Sequence, residues 1–206
     1  MRVIGAIGLT GNIASGKSTV SRHLAETGAA ILDADAIYDE LIQPGKAGWV
    51  AVCAAFGDGV LTPEGGIDRR RLGEIVFGDG EKLAQLNRLT HPLVREEIAG
   101  RIGALREARR FPIIVDAPLL YEAGCDALVD EVWFVWCADA VRVRRLMARN
   151  GLAEAEAWRR VRAQGAQDAK ARRADRILYN REGVEALLAQ ADSALAAYRA
   201  RFGGAA

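Results

Sequence analysis

Residues 9–19 read LTGNIASGKST and directly follow the apolar run VIGAIGL at residues 3–9. Gly11, Gly16, Lys17 and Ser18 fill every fixed position of the G-x-x-x-x-G-K-[ST] template. The glycines let the chain turn so that backbone N–H groups point inward at phosphate oxygens, and the following helix adds the positive end of its dipole. Lys17 would reach the β- and γ-phosphates and Ser18 would hold Mg²⁺. A glycine-rich turn that merely joins strand to helix is the bland alternative. Context decides against it: a strand-like run precedes, and STVSRHLAET continues with Val20 and Leu24 at helical spacing before Gly28 offers a stop.

Working outward, the β-rich runs VIGAIGL, AAILDAD, PIIVDAP and EVWFVWC, with a weaker fifth at DRILYN, alternate with helical patterns. Such alternation predicts an α/β fold, a parallel sheet covered by helices on both faces. The spacing is uneven. A crossover needs about a dozen residues, yet AAILDAD and PIIVDAP are separated by amphipathic stretches at GWVAVCAAF, RRRLGEIVF, EKLAQLNRL and HPLVREEIAGRIGALREA. The excess reads as a helical substrate subdomain over residues 44–110, inserted into a core made of residues 1–43, 111–138 and 174–206. Residues 139–173 carry many arginines on helical patterns. Most charge runs are solvated surface, but Arg145 and Arg149 lie four apart on one face and Arg160 and Arg162 follow soon after, as expected of a lid that brings guanidinium groups onto ATP phosphates.

Composition bounds the rest. The chain has 206 residues, 50% of them hydrophobic, and a formal net charge of +1, which argues against disorder and against a global field for nucleic acid. Cys53, Cys125 and Cys137 form no C-x-x-C pair and read as reduced thiols of a cytoplasmic protein. Two histidines, His23 and His91, cannot build a His-based zinc cluster. The apolar run after Arg2 has no cleavage-site pattern, and no segment is long and apolar enough to place the chain in a membrane.

Three carboxylates attract attention. If AAILDAD stays extended, Asp33 and Asp35 project to the same side near the carboxyl end of the strand, the edge where doubly wound sheets bind ligands. Asp35, further along, is expected to be the base for an attacking hydroxyl, although it would also serve as the N-cap of the helix beginning at AIYDEL. Asp33 is then the metal or water orienter. Asp116 closes PIIVD as an apolar strand plus Asp and would address Mg²⁺ through water. His91 precedes Pro92 and reads as the start of a helix, and Trp133 and Trp136 within an apolar strand read as core.

In order, LTGNIASGKST, LDAD, Phe56-Gly57, IDRRRL, VF, Thr90-His91-Pro92, DAPLLYE, RLMAR, Gln164, Ala174-Asp175 and Asn180 resemble the dephospho-CoA kinase family over essentially the whole chain. The resemblance implies a P-loop kinase core, ATP and Mg²⁺, and dephospho-coenzyme A as the substrate phosphorylated on its ribose 3′-hydroxyl. It carries ATP binding to Gly11, Asn12, Ile13, Ala14, Ser15, Gly16, Lys17, Ser18 and Thr19, the lid arginines to Arg145 and Arg149, and a late Asn near adenine to Asn180. It makes Asp35 the base, and around the acceptor it places Arg69, His91, Pro118, Leu119, Leu120 and Glu122. With the readings of the loop and the strand ends, the expected catalytic groups are Asp35, Lys17, Asp33 and Arg145, and those at the metal Ser18, Asp33 and Asp116. Asn12 and Ala14 stand where the family usually has glycine, and Tyr121 where it has Phe.

Another small-molecule P-loop kinase, acting on a nucleoside monophosphate or a sugar, is the nearest alternative, and the long insertion with PLLYE favours a bulkier acceptor. A GTPase switch would need an N-K-x-D motif and a D-x-x-G loop, and neither occurs, since Asp116 is followed by APL. A nucleotide-binding module without catalysis has no use for Asp33 and Asp35.

Overall fold

The computed structural model describes residues 5–202, so Val3 and Ile4 of the first apolar run lie outside the described residues. Five strands appear where the apolar runs predict them: β1 (Ala6–Thr10), β2 (Ala30–Asp33), β3 (Ile113–Asp116), β4 (Glu131–Trp136) and β5 (Arg176–Tyr179). They form one parallel sheet in the order β2-β3-β1-β4-β5. All five therefore end on one edge. There Leu9 on β1 and Asp33 on β2 both stand opposite Asp116 on β3.

Helices cover both faces, as a parallel sheet requires. On one face α1 (Lys17–Glu26) and α9 (Val184–Phe202) bury Val20, Leu24, Leu187 and Leu195 against Ile7, Leu9, Ile114 and Trp133. On the other, α2 (Ala34–Leu41) and α5 (Gly80–Glu107) bury Ile37, Val94, Ile98 and Ile102 against Ala6, Leu32, Ile113 and Val115. Trp133 is fully buried, as expected, whereas Trp136 is only half-buried, beside Tyr179 and under Arg181.

Between β2 and β3, α3 (Ala47–Phe56) and α4 (Arg69–Phe77) enclose a small core of their own, Val52, Val60, Leu72 and Val76, completed by Leu83 and Leu86 from the start of α5. The second half of α5 returns to the sheet, so the helical insertion is continuous with the core at that end. EKLAQLNRL and HPLVREEIAGRIGALREA are one helix rather than two, and His91 does not start one. Pro92 would orphan the carbonyl of Arg88, but both residues are exposed and water can serve that group, while the face carrying Thr90, Val94, Ile98 and Ile102 is held by burial.

After β4 come α6 (Asp139–Asn150), α7 (Glu154–Ala163) and the short α8 (Gln167–Ala171). Val143, Leu146, Ala157 and Val161 form a fourth cluster, and its partners include Ile13 and Ala14 of the glycine-rich loop. The three cysteines are free; Cys125 and Cys137 are buried, Cys53 only partly.

Candidate active site

The loop between β1 and α1 is shaped by one glycine above all. Gly16 sits at φ 108° as the N-cap of α1, and a Cβ there would meet the Asn180 amide nitrogen at 2.5 Å. Ala14 also holds a left-handed conformation, φ 60°, so the Cβ expected to restrict this position is accommodated, within the cluster shared with α6 and α7. No side chain caps the first amides of α1, which leaves them directed at the loop's mouth. The buried Asn12 Nδ2 and Ser15 Oγ make no hydrogen bond within the described chain. Uncapped amides and buried polar atoms without partners are what a cradle for phosphate oxygens leaves behind when it is described alone. The loop therefore fits a nucleotide's phosphates.

The loop is bolted from behind. Arg142 is buried, and its Nε donates to the Ile13 carbonyl at 3.0 Å, Nη1 to Asp139 at 2.8 Å and Nη2 to Gln164 Oε1 at 3.4 Å. The same Gln164 oxygen accepts from the Ile13 N–H at 2.6 Å. Burial pulls the Arg142 pKa below its ordinary value, and the Asp139 charge works against that. Arg145 donates to the carbonyls of Ala14 and Ser15 at 3.2 and 3.3 Å and to Asn180 Oδ1 at 3.2 Å, and Asn180 Nδ2 donates to the Ser15 carbonyl at 2.7 Å. Asn180 is thus committed to the loop backbone. Arg149, four residues on from Arg145, is exposed and bonds only its neighbour Asn150, at 2.9 Å. Sequence reasoning passed over Arg142, since nothing local distinguishes it among the arginines of DAVRVRRLMAR; Gln164 entered only through family resemblance.

Lys17, partly buried, points across the sheet edge to an ion pair with the buried Asp116. Asp33 corrects the extended reading of AAILDAD. The strand ends at Asp33, whose Oδ1 accepts from the N–H groups of Asp35 and Ala36 at 2.9 and 3.2 Å and so caps α2. Asp35 is consequently in the first turn of a helix, and it is neither on the strand nor the N-cap. The physical reason is that the cap satisfies two orphan amides, which continued extension would not. Asp35 still faces the same edge. Its carboxyl is pushed above the ordinary carboxylate value, first by desolvation; Lys17 opposes this and Asp33, Asp116 and Asp39 add to it.

Asp35 lines a cleft of about 270 Å³ between α2, the first half of α5 and the turn after β3. Its walls include Tyr38, Phe77, Leu83, Asn87, His91, Pro118 and Leu119. Of the residues expected around an acceptor, His91, Pro118 and Leu119 line it. Leu120 does not: it is fully buried in the core, where its Cδ2 lies 2.8 Å from any Cβ that Gly8 might carry, which is why β1 has glycine there. Glu122 pairs with Lys170 at 2.6 Å, and exposed Arg69, opening α4, pairs with Asp39 of α2; neither lines the cleft. Among the described residues no cluster of three or more His, Cys, Asp or Glu side chains is arranged to hold a metal.

A phosphate loop on the first strand of a parallel 2-3-1-4-5 sheet, with an acid at the end of the neighbouring strand and a cleft beside it, defines a P-loop phosphotransferase. Shikimate kinase from Acinetobacter baumannii shares this fold, with a TM-score of 0.56, 16% identity and 97% and 96% of the two chains covered. The family model for dephospho-CoA kinase matches residues 5–186. Dephospho-CoA kinase from Symbiobacterium thermophilum is 48% identical over 198 residues, 96% of this chain and 82% of that one. The structure of dephospho-CoA kinase from Campylobacter jejuni is similar with a TM-score of 0.62 and 25% identity, covering 94% of this chain and 96% of the other. The chain belongs to the dephospho-CoA kinase family and catalyses the last step of coenzyme A synthesis, phosphorylation of the ribose 3′-hydroxyl of dephospho-CoA at the expense of ATP.

Proposed function

We propose that Asp35 accepts the proton of the acceptor's 3′-hydroxyl while the loop and Lys17 hold the ATP phosphates. The hydroxyl oxygen bonds to the γ-phosphorus, the bond from that phosphorus to the β,γ-bridging oxygen breaks, and ADP leaves. The observation that carries this is the placement of Asp35 at the junction of the cleft with the Lys17–Asp116 pair. A raised pKa suits a base, because a carboxylate with greater proton affinity takes the proton more readily. Lys17 exchanges or shares its Asp116 partner with phosphate oxygens, a charge-assisted contact that strengthens as charge moves onto the leaving group. Arg145 stiffens the cradle through the Ala14 and Ser15 carbonyls, and Arg149, exposed at the end of α6 and bonded to its neighbour Asn150, is the guanidinium that would reach across the phosphates. Mg²⁺, when bound with ATP, neutralises phosphate charge, and Ser18, Asp33 and Asp116 are the groups that would hold it and its waters.

His91, Pro118 and Leu119 contact the acceptor in the cleft, with Arg69 outside it. The enzyme works in the cytoplasm, a reading supported by three free thiols; no described helix is long and apolar enough to cross a membrane. The test is product analysis with ATP, Mg²⁺ and dephospho-CoA. A new 3′-monoester supports the reading, and phosphorylation of AMP on its existing phosphate in preference to dephospho-CoA contradicts it.

A further inference from the structure

We infer that the cleft beside Asp35 is the reader of the acceptor's adenine base, with Asn87 recognising its polar edge and Phe77 covering its face. This rests on the acceptor reading above and names which part of the acceptor the cleft takes. Dephospho-CoA has three chemically distinct parts: a neutral adenosine, a doubly charged diphosphate and a long neutral arm. Among the described residues no lysine or arginine lines the cleft and its one acidic group is Asp35, so the diphosphate has no described partner there. Covalent connectivity then separates the other two. The base is bonded to the same ribose that must present its 3′-hydroxyl to Asp35, whereas the arm begins only beyond the diphosphate. A cleft lined by Asp35 and by no described lysine or arginine is therefore entered by the base.

The walls suit a flat heteroaromatic ring. Tyr38 and Phe77 supply aromatic surface, and Phe77 is 82% exposed, a large apolar side chain left at the rim with nothing over it. Leu119 stands 45% exposed on the turn after β3. Polar capacity is sparse and defined. Asn87 and His91 lie four apart on α5 and therefore on one face of the helix, and neither side chain hydrogen-bonds another described residue. Thr90 is already used, donating to the Leu86 carbonyl at 2.9 Å. An Asn amide offers a donor and an acceptor side by side, the pattern that matches adenine's amino group and an adjacent ring nitrogen.

The test compares dephospho-CoA with its 1,N6-etheno derivative, in which the base edge is blocked while ribose, diphosphate and arm are unchanged. The ratio of their kcat/KM values, or of Ki values where the derivative is turned over too slowly, is measured for the wild-type enzyme and for Asn87→Ala. The wild-type enzyme is expected to prefer the natural base about tenfold or more, and Asn87→Ala to cut the preference below about threefold, with the KM for ATP unchanged. Phe77→Ala, a change at an exposed rim position that leaves the core intact, is expected to raise the dephospho-CoA KM about tenfold, with recovery in Phe77→Trp. If Asn87→Ala weakens both acceptors equally and the ratio holds, the cleft takes the arm and the inference is overturned. If the wild-type enzyme leaves dephospho-CoA unphosphorylated, the functional reading itself fails and takes the inference with it.

Discussion

The chain carries two helical appendages on one sheet edge, and they are attached in opposite ways. Between β2 and β3, α3 and α4 enclose Val52, Val60, Leu72 and Val76, a core to which the phosphate loop contributes nothing. After β4, α6 and α7 enclose Val143, Leu146, Ala157 and Val161, and the loop's own Ile13 and Ala14 pack against that cluster. Arg142 and Gln164 add hydrogen bonds to both sides of the Ile13 peptide. The difference is one of duty. A nucleotide's phosphates need a cradle that costs little to organise, and the loop packs with α6 and α7 as one body. On the proposed reading the acceptor has to be admitted beside α3 and α4, and a region with its own small core can adjust there without disturbing the loop.

The largest effect is expected where the regions meet. Lys17→Ala is expected to lower kcat by about 10³-fold or more while the thermal unfolding curve stays cooperative, because the lost charge acts on the transferring group. Steady-state kinetics on the purified, folded variant checks this. Asp35→Asn is expected to lower kcat by about 10²-fold or more with the KM for ATP nearly constant. Its pH profile adds a sign. The folded-state pKa of Asp35 is raised above the ordinary 3.8, so the wild-type rate climbs with pH through that elevated value, and the variant loses this acidic limb. The stability this group contributes is present below its unfolded pKa and lost as pH rises through the folded one. At neutral pH Asp35→Asn is therefore expected to leave the Tm unchanged or higher, which separates its role from a structural one.

The comparison itself is sharpened by two further substitutions. Arg142→Met keeps the volume but removes the bonds to Ile13 and Gln164, and is expected to cost about 1–3 kcal/mol of stability. It should raise the KM for ATP about tenfold and leave the KM for dephospho-CoA within about twofold, since a buried carbonyl left unpaired loosens the cradle alone. Leu72→Ala, in the core between β2 and β3, is expected to cost about 2–5 kcal/mol, felt chiefly as local opening. Its kinetic signature is the reverse and smaller: a few-fold rise in the KM for dephospho-CoA with ATP binding preserved. Denaturation and two-substrate kinetics on the same preparations read both.

Local chemistry made much of this arrangement legible in advance. GNIASGKST declares a phosphate loop because its glycines, lysine and serine act through neighbouring backbone, and the five apolar runs become strands because a sheet buried on both faces tolerates little else. Asp116 at the end of PIIVD belongs to the same class of signal. What escaped was decided over longer distances or by a single residue of phase. The period of two that placed Asp33 and Asp35 on one strand face holds only while the strand lasts, and it ends at Asp33, which turns to cap α2. Pro92 suggested a boundary in α5, but burial of Val94, Ile98 and Ile102 on the sheet overrides it. Arg142 and Arg149 look alike in sequence; one is buried against the loop and the other exposed only because α6 lies on Ile13 and Ala14.

Hydrogen exchange with ligands added singly tests most directly whether the loop, α6 and α7 are one body and the region between β2 and β3 another. With a non-hydrolysable ATP analogue and Mg²⁺, amides of residues 11–19 and of α6 and α7 are expected to gain protection together, by a common factor, while those of α3 and α4 exchange as before. With dephospho-CoA alone, α3, α4 and the first half of α5 are expected to slow, and α6 and α7 to stay unchanged. Equal protection of both appendages by the nucleotide analogue, or protection of the loop without α6 and α7, would contradict the account.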